Sequence, residues 1–437
     1  MRICVINTQG KGNYMKLSSK TLRVALAAAL VTGLSAGAFI APASAAKKDF
    51  KIWWYSKDNA MPQTWNVALN EFKKAHPELN VKFELKTFEQ INNAGIALLD
   101  SNKAPDVAEW NKGNGTAGAA SKAGLLLDLD KYATKYKWNL PSSVSLYGQY
   151  TNGLMGSGKL YGVPTYGEYV GVFYNKDLFA KYNVKIPTTL ADFEAAMKTF
   201  KDNGVIPLQI GGGDYQTVHN LYALTASRAT NDWIKSFQLF QGKVDPSTDA
   251  NFKWAAEKFV AWNKAGYYEP NASGVKTDDA VLEFQKGNGA MMIGGSWLDG
   301  GMQTKISTFK YGKFVFPGTQ SVGSAGNLFV IPKKGKNPDL AAEFINLLLT
   351  KKYQNYLANA GGLALFADND AVANPAAQLT AAPFAQIVKK NALGMYPDWP
   401  VPGFYPVLLQ EGIKLLSDGN VAAYQKAVGD FYNSNKP

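Results

Sequence analysis

The sequence predicts an α/β fold made of two lobes. Strand-like segments alternate with amphipathic helical segments in the first third of the chain, and a similar alternation returns after residue 180. Residues 46–437 are also too many for one typical hydrophobic core. Because strand–helix–strand units close with right-handed crossovers, we expect mixed, mostly parallel sheets flanked by helices.

The first lobe is predicted from five alternating elements. They are a strand at residues 50–55, a helix capped by Thr64 and ending at His76, a half-buried strand at residues 79–85, a helix at residues 91–99 and a strand at residues 106–110. Ligands of such sheets bind at the carboxyl ends of the strands. The loops after residues 55 and 110 are therefore expected to lie together at one edge of the first lobe's sheet, where a ligand would bind.

The second lobe repeats this organisation without repeating the sequence. Its predicted elements are a strand at residues 169–174, a helix capped by Asn175, a helix capped by Thr188 or Thr189, a strand at residues 205–210, helices at 216–228 and 249–265, a helix at 277–284 capped by Thr277, and a strand at 290–293. Two further strands (314–316 and 327–332), a helix capped by Asn337 and one or two final helices complete the chain.

The N-terminus predicts export. Residues 1–14 show no targeting pattern, but from Met15 a basic region precedes the apolar residues 24–40 and a small-residue cleavage site at Ala43–Ala45. The apolar run is shorter than the ~20 residues of a membrane span. We therefore expect residues 46–437 outside the cytoplasm, in a periplasm, at the cell surface or secreted. The sequence leaves open whether Met1 or Met15 is the start, and whether the host has an outer membrane.

The cysteine count and the net charge argue against several kinds of site and of binding partner. The single cysteine, Cys4, precedes the signal, so no lipid-attachment cysteine, disulfide or cysteine nucleophile is expected in the exported chain. The net charge is +12, and the five bases of residues 1–45 leave +7 for the rest. These bases are scattered, so nucleic-acid binding is not expected.

Other chemical motifs are weak. Gly113, Gly115 and Gly118 match a dinucleotide-binding pattern, but the acidic residue expected after a second strand is missing, so a tight rim loop is the preferred interpretation. Ser296 lies in GGSWL rather than in a nucleophile elbow. With two distant histidines, we expect no metal site, no cofactor and no catalytic residue.

Aromatic and polar residues at predicted strand ends are the candidate ligand-binding residues. Aromatic rings can cover the apolar faces of a pyranose, while carboxylates and amides bind its hydroxyls. Most of the ten tryptophans must pack in the core, so only those near strand ends and in the C-terminal segment are proposed. The candidates are Trp54, Ser56, Asp58, Glu109, Trp110, Asn111, Tyr166, Glu168, Asp214, Trp297, Trp399 and Tyr405.

Several segments together carry a family resemblance. They are GKLYGVPTYGEYVGVFYNKDLF at 158–179, WWYS at 53–56, PDVAEW at 105–110, AGLLLDL at 123–129, GNGAMMIGGSW at 287–297 and the helix after IPKKGK. In this order and spacing the chain resembles the carbohydrate-binding proteins of ATP-driven (ABC) sugar importers, whose best-known member binds maltose.

The resemblance implies a class II periplasmic-binding-protein fold with three hinge crossings, near residues 166–169, 310–314 and 352. Lobe 1 would comprise 46–168 plus 311–352, and lobe 2 169–310 plus 353–437. It also implies a monomeric binding protein, not an enzyme, that closes around a mono- or oligosaccharide. The closed form would be presented to an ABC permease and, through it, to the ATPase.

The resemblance also implies roles for individual residues. Glu168 matches a sugar-binding carboxylate, Trp297 a stacking tryptophan and Trp110 another aromatic contact, while Asp214 and Tyr405 match a carboxylate and a C-terminal aromatic. The Asp–Arg pair of the maltose binder is not reproduced after PDVAEW, which argues against maltose.

Two alternatives stay open at this level. A glycoside hydrolase would use two carboxylates such as Glu168 and Asp214, with one raised pKa and a suitable separation. The same scaffold would otherwise bind a non-sugar such as a polyamine, a phosphodiester or ferric ion. The identity, length and linkage of a sugar ligand are not encoded in any motif.

Overall fold

Two β-sheets flanked by helices make up the described part of the chain, which comprises residues 47–54, 60–365 and 375–437 of a computed structural model. The predicted N-terminal extension and secretory signal lie outside these residues, as do Ser56 and Asp58. Within the described ranges, no helix has both the length and the apolar character needed to cross a bilayer.

The strands are short except for one of ten residues. In chain order they are β1 (Lys48–Trp54), β2 (Leu79–Leu85), β3 (Val107–Trp110), β4 (Gln149–Thr151), β5 (Leu154–Met155), β6 (Lys159–Leu160), β7 (Gly162–Pro164), β8 (Tyr166–Asn175), β9 (Leu208–Gln209), β10 (Met291–Gly295), β11 (Tyr311–Phe314), β12 (Gly323–Ser324), β13 (Leu328–Val330) and β14 (Leu363–Ala364).

The helices surround these strands. They are α1 (Ala60–Ala75), α2 (Phe88–Leu99), α3 (Ala119–Lys122), α4 (Asp130–Tyr136), α5 (Ser142–Ser145), α6 (Lys176–Lys181), α7 (Leu190–Asp202), α8 (Tyr215–Ala226), α9 (Asn231–Leu239), α10 (Ala250–Lys264), α11 (Thr277–Lys286), α12 (Asp299–Lys305), α13 (Pro338–Leu348), α14 (Lys351–Asn359), α15 (Pro375–Lys389), α16 (Phe404–Asp418) and α17 (Val421–Asn435). Asn114–Gly118 forms a π-helical turn, and Ala272–Gly274 and Ser296–Leu298 form 3₁₀ turns.

The first sheet has the order β2-β1-β3-β13-β7. β1 runs parallel to β2 and to β3, as the predicted crossovers require, whereas β13 is antiparallel to β3 and to β7. The second sheet has the order β11-β8-β10-β9, with β12 and β14 paired to the beginning of β8. A small sheet, β5-β4-β6, lies beside them.

The two-lobed α/β prediction is confirmed, but its mostly parallel sheets are wrong. β8 pairs antiparallel with β10, β11, β12 and β14, and only β9 and β10 are parallel in the second sheet. The prediction followed from strand–helix–strand units, which produce parallel pairs. Such local units do not show that β8 would also pair, along both edges, with antiparallel strands from later in the chain.

The chain passes three times between the two sheets. It first leaves β7 for β8, a strand buried along its whole length. It then returns between β11 and β13, and last leaves α14, whose Tyr353 packs in the first sheet's core, for β14. β11 pairs with β8, so the second sheet extends past the lobe boundary predicted at 310/311.

Two of the five predicted helix caps are confirmed by their hydrogen bonds. The side chains of Asn175 and Thr189 accept hydrogen bonds from the first-turn amides of α6 and α7. Thr64 and Thr277 lie inside α1 and α11 instead of capping them, and α9 was not predicted. Thr230 caps α9 by accepting from Trp233 N, a signal that the sequence carries.

Burial joins the sheets into one compact unit, Lys47–Pro437. One core cluster packs β1 against α1 and α13, while another combines residues of both sheets, such as Trp53 with Ile293. The predicted half-buried strand β2 is an edge strand instead, and its Phe83 and Leu85 are 39% and 52% exposed. The core that spans both sheets borders the polar residues described next.

Candidate functional site

Buried polar residues meet where β3 ends and β8 begins. The Lys112 ammonium donates to Glu168 Oε1 at 2.7 Å and to Asn327 Oδ1 at 3.1 Å. Ser324 Oγ donates to the same Glu168 oxygen at 3.0 Å. The Lys112 side chain is fully buried, whereas 12% of the Glu168 side chain is exposed. Such a pair is stable only where hydrogen bonds replace the lost hydration, as they do here.

Glu109 extends this cluster toward the first sheet. Its Oε1 accepts from Tyr166 OH at 3.0 Å and from Asn327 Nδ2 at 3.2 Å. Asn327 therefore donates to Glu109 while accepting from Lys112, which fixes the orientation of its amide. Three distant segments thus share one hydrogen-bond network.

Charges in this region are strongly affected by burial. Burial lowers the pKa of Lys112, and the charge of Glu168 opposes that shift. The Lys112 ammonium also lies 5.1 Å from the ring centroid of Trp399. Burial raises the pKa of Asp398 to about 6, and Asn111 Nδ2 donates to its Oδ2 at 3.4 Å.

An aromatic wall continues from the polar cluster. Its rings have centroids 5.1–6.3 Å from a neighbouring ring, a spacing typical of offset and edge-on aromatic contacts. The wall consists of Tyr147, Trp399, Tyr396, Trp297, His219 and Tyr215.

Trp297 and His219 form the half-buried end of this wall. The Trp297 indole donates to Tyr215 OH at 3.3 Å. Burial lowers the pKa of His219 to about 3, so the imidazole is neutral, and its Nδ1 has no hydrogen-bond partner among the described residues. The His219 ring therefore lies with the candidate residues.

The glycine loop after β3 holds the wall in place. Gly113 N donates to Tyr150 OH, and the backbone amides of Asn114 and Gly115 donate to Trp399 O. A Cβ on Gly113 would lie 2.4 Å from Trp399 Cβ. The amides that a dinucleotide phosphate would need are thus already bonded, which supports the tight-loop interpretation of this motif.

The structure brings half of the predicted site residues together. They are Glu109, Asn111, Tyr166, Glu168, Trp297 and Trp399, all in the polar cluster or the aromatic wall. Lys112, Asn327, Ser324, Tyr396, Asp398, Tyr215, Tyr147 and His219 lie in the same arrangement and were not proposed. Asp398 precedes Trp399 directly, and that adjacency was the one signal that could have indicated it.

Four predicted residues lie in other surroundings. Trp54 is buried between Trp65 and Phe83, and Trp110 packs in the core. The Asp214 carboxylate caps α8 by accepting from Tyr215 N at 2.7 Å. Tyr405 is half-buried in the first turn of α16. Among the residues described, no group of three or more His, Cys, Asp or Glu side chains is arranged to hold a metal ion.

Comparison with protein-family models matches residues 55–355 to the bacterial extracellular solute-binding proteins. The chain belongs to this family. Among its relatives, the multiple sugar-binding protein of Streptococcus mutans is 23% identical over 345 residues, covering 75% of this chain and 76% of that protein. The diacetylchitobiose-binding protein DasA of Streptomyces coelicolor is 27% identical over 320 residues, covering 70% and 71%.

Solved structures of similar solute-binding proteins share the fold. A protein from Caldanaerobius polysaccharolyticus, studied for xylan utilization, superposes with a TM-score of 0.75 at 21% identity and covers 88% of this chain and 99% of its own. A chitin oligosaccharide binding protein superposes with a TM-score of 0.73 at 19% identity, covering 88% and 98%. This solute-binding protein thus has the two-lobed architecture of the family.

Proposed function

We propose that this solute-binding protein is an extracytoplasmic receptor that delivers a mono- or oligosaccharide to an ABC importer. The observation that carries the proposal is the contact between a buried hydrogen-bonding cluster and an aromatic wall at the junction of the two sheets. A sugar presents hydroxyls to the first and C–H faces to the second. Two relatives, a multiple sugar-binding protein and a diacetylchitobiose-binding protein, support the same class of ligand.

The proposed contacts divide by chemistry. Trp297, half-buried at the end of the wall, stacks on a sugar ring, and Trp399 closes the inner side. Glu109, Glu168 and Asn111 bond hydroxyls directly or hold the groups that do. Outer contacts are proposed for Ser56, Asp58, Asp214 and Tyr405.

Closure is proposed to occur about the three passages between sheets, which divide the chain near the predicted lobe boundaries. Asn111 comes from the first sheet and Asp398 from the C-terminal segment, so their contact joins the two proposed lobes. A ligand that contacts both lobes stabilises the closed form by its differential affinity. The proposed partners are the permease and, through it, the ATPase, with export by the N-terminal signal.

Binding without hydrolysis is the preferred activity. A glycosidase needs two carboxylates facing one bond, one of them an acid. Here Glu168 is held by a lysine, and Asp214 accepts a backbone hydrogen bond at a helix end. Both carboxylates are thus engaged by donors of the protein itself, which supports a receptor.

The experiment that tests this function is a calorimetric ligand screen with the purified exported chain. The panel contains neutral mono- and oligosaccharides, a polyamine, a phosphodiester and ferric citrate. Saturable sugar binding, with a rise in unfolding temperature, supports the proposal. Sugar release from an oligosaccharide, or binding of only a non-sugar, would contradict it. Loss of export after deletion of residues 15–45 tests the localisation separately.

A further inference from the structure

We propose that Asp398 is the carboxylate that binds the ligand's hydroxyls directly, and that it limits the ligand to uncharged sugars. This inference rests on the proposed function and names a residue and a substrate class within it. Glu168, which the sequence indicated for this role, instead holds Lys112 in place.

Glu168 and Glu109 are already engaged by protein donors. One oxygen of Glu168 accepts from both Lys112 and Ser324. One oxygen of Glu109 accepts from Tyr166 and from Asn327. Hydrogen bonds of this kind satisfy a buried carboxylate at the cost of its availability to a ligand. Their first role is therefore to position Lys112 and Asn327.

Asp398 is engaged much more weakly. Its carboxylate accepts from Asn111 Nδ2 at 3.4 Å and from its own backbone amide. Among the residues described, no lysine or arginine forms an ion pair with Asp398. The nearby Lys112 forms its ion pair with Glu168. Asp398 is half-buried, and a partly desolvated carboxylate with so few donors is costly, so donors from a bound molecule would stabilise it.

The backbone around Asp398 is held rigidly. Before it, Gly394 N donates to Ser321 O at 2.7 Å and Met395 N to Gly323 O at 3.1 Å. After it, Pro400 O accepts from Asn114 Nδ2 at 3.0 Å. A carboxylate on a fixed segment is preorganised for binding and loses little entropy when a ligand arrives.

Two polar atoms near Asp398 also lack hydrogen-bond partners among the described residues. Tyr396 OH and His219 Nδ1 are buried and have no hydrogen-bond partner within the described ranges. The Tyr396 ring contacts both Trp399, which follows Asp398, and His219. Most buried polar atoms in proteins are bonded, so a phenol and an imidazole nitrogen without partners, beside a weakly bonded carboxylate, indicate a polyhydroxylated ligand.

Charge then restricts the ligand. Three carboxylates, Glu109, Glu168 and Asp398, surround one ammonium, that of Lys112, so the cluster carries a net negative charge when all are ionised. A sugar carboxylate would be repelled in a region of low dielectric constant. The structure therefore favours neutral hexoses and their oligomers over uronic acids.

The test compares Asp398→Asn with the control Asp278→Asn, an exposed carboxylate in the first turn of α11. Titration calorimetry uses galactose, glucose, xylobiose, diacetylchitobiose and raffinose, and the matched acids galacturonate and glucuronate. We expect Asp398→Asn to weaken binding of the best neutral sugar by roughly tenfold or more, and Asp278→Asn to leave it unchanged. Asp398→Ser is the second variant should the first fail to fold.

The pH dependence separates direct binding from a structural role. Lys112, Glu168, Tyr222 and Tyr396 are the titratable groups that act on Asp398, and burial raises the pKa of both tyrosines. Wild-type affinity should fall from about pH 7.5 to about pH 5 as Asp398 takes up a proton, while affinity of Asp398→Asn should stay flat.

The outcomes are distinguishable from those of the proposed function. Unchanged neutral-sugar affinity in Asp398→Asn, or uronate binding as tight as that of the matched neutral sugar, would overturn the inference while leaving a sugar receptor. If wild-type protein binds no sugar of the panel, the proposed function falls and this inference with it. Weaker binding confined to Asp398→Asn, with its pH dependence lost, supports both.

Discussion

Two buried lysine–carboxylate pairs in this protein look alike but have different surroundings. Lys112 and Glu168 meet at 2.7 Å beside the aromatic wall, and Lys313 and Asp299 meet at 2.9 Å between β11 and α12. Both lysine side chains are fully buried. Both ammonium groups lie over aromatic rings, Trp399 for the first pair, and Tyr169 and Phe173 for the second.

The difference lies in what else the carboxylate meets. Asp299 Oδ2 accepts from Thr380 at 2.6 Å, and only 2% of the Asp299 side chain is exposed. Glu168 is 12% exposed and lies in a network that reaches Glu109. A buried ion pair is therefore not in itself a sign of function. Partial exposure of its carboxylate and a place beside the aromatic wall give the first pair its proposed role.

The largest expected effect comes from breaking the second pair, Lys313 and Asp299. Asp299→Ala leaves the Lys313 ammonium buried without its carboxylate, so we expect the free energy of unfolding to fall by about 3–5 kcal/mol. Urea unfolding followed by tryptophan fluorescence measures it. Sugar affinity of the protein that remains folded should be unchanged.

Two controls sharpen this result. Replacing both members, Lys313→Met with Asp299→Leu, removes the uncompensated charge and should restore most of the stability. Lys198→Ala breaks an exposed pair with Asp202 and should change stability by less than about 0.5 kcal/mol. A loss of sugar affinity in the folded Asp299→Ala variant would show that the second pair also serves the site.

The next largest effect concerns the wall beside the first pair. Trp297→Ala removes the half-buried ring proposed to stack on the sugar, so we expect binding to weaken by about 2 kcal/mol, roughly thirtyfold in Kd. Trp254→Ala is the matched control, because that half-buried tryptophan of α10 packs against Arg228, away from the wall. Equal affinities of the two variants in calorimetry would remove Trp297 from the site.

A smaller effect is expected from the first pair itself. Glu168→Gln keeps the shape but removes the charge that holds Lys112, so sugar binding should weaken by about 1–2 kcal/mol. Glu194→Gln is the control, since Glu194 accepts from Lys258 and Trp262 elsewhere in the fold. Calorimetry at neutral pH checks both variants. Full retention of affinity in Glu168→Gln would contradict any role of this pair in binding.

The smallest effect concerns His76, a titratable residue that contacts the exposed carboxylates of Glu78 and Glu343. Burial lowers the pKa of His76, but hydrogen bonds and charges of Glu343 and Glu78 outweigh it and raise the pKa above 6.5. The resulting stability is fully present below the unfolded pKa and is lost as the pH rises through the folded pKa. His76→Asn should therefore cost less than about 1 kcal/mol at about pH 5.5 and nothing at about pH 8.5 in urea unfolding. An equal cost at both pH values would contradict this linkage.

Local patterns in the sequence were sufficient for many elements. The caps Asn175 and Thr189 and the strand at β1 were predicted because each depends on residues within one or two turns of the chain. Trp54 and Trp297 show the limit of such patterns. Both tryptophans come at or just after a strand end, yet one is 2% exposed in the core and the other is half-buried in the wall.

The sequence by itself determined the α/β class, the family and the strand-end position of Glu168. Only the tertiary structure decided that Lys112 would engage that carboxylate, and that Asn111 would meet Asp398, 287 residues away. The reason is physical: a buried charge is stabilised by whichever donors packing brings within reach, and those donors come from distant segments. No local pattern records which side chains a folded chain will place beside one another.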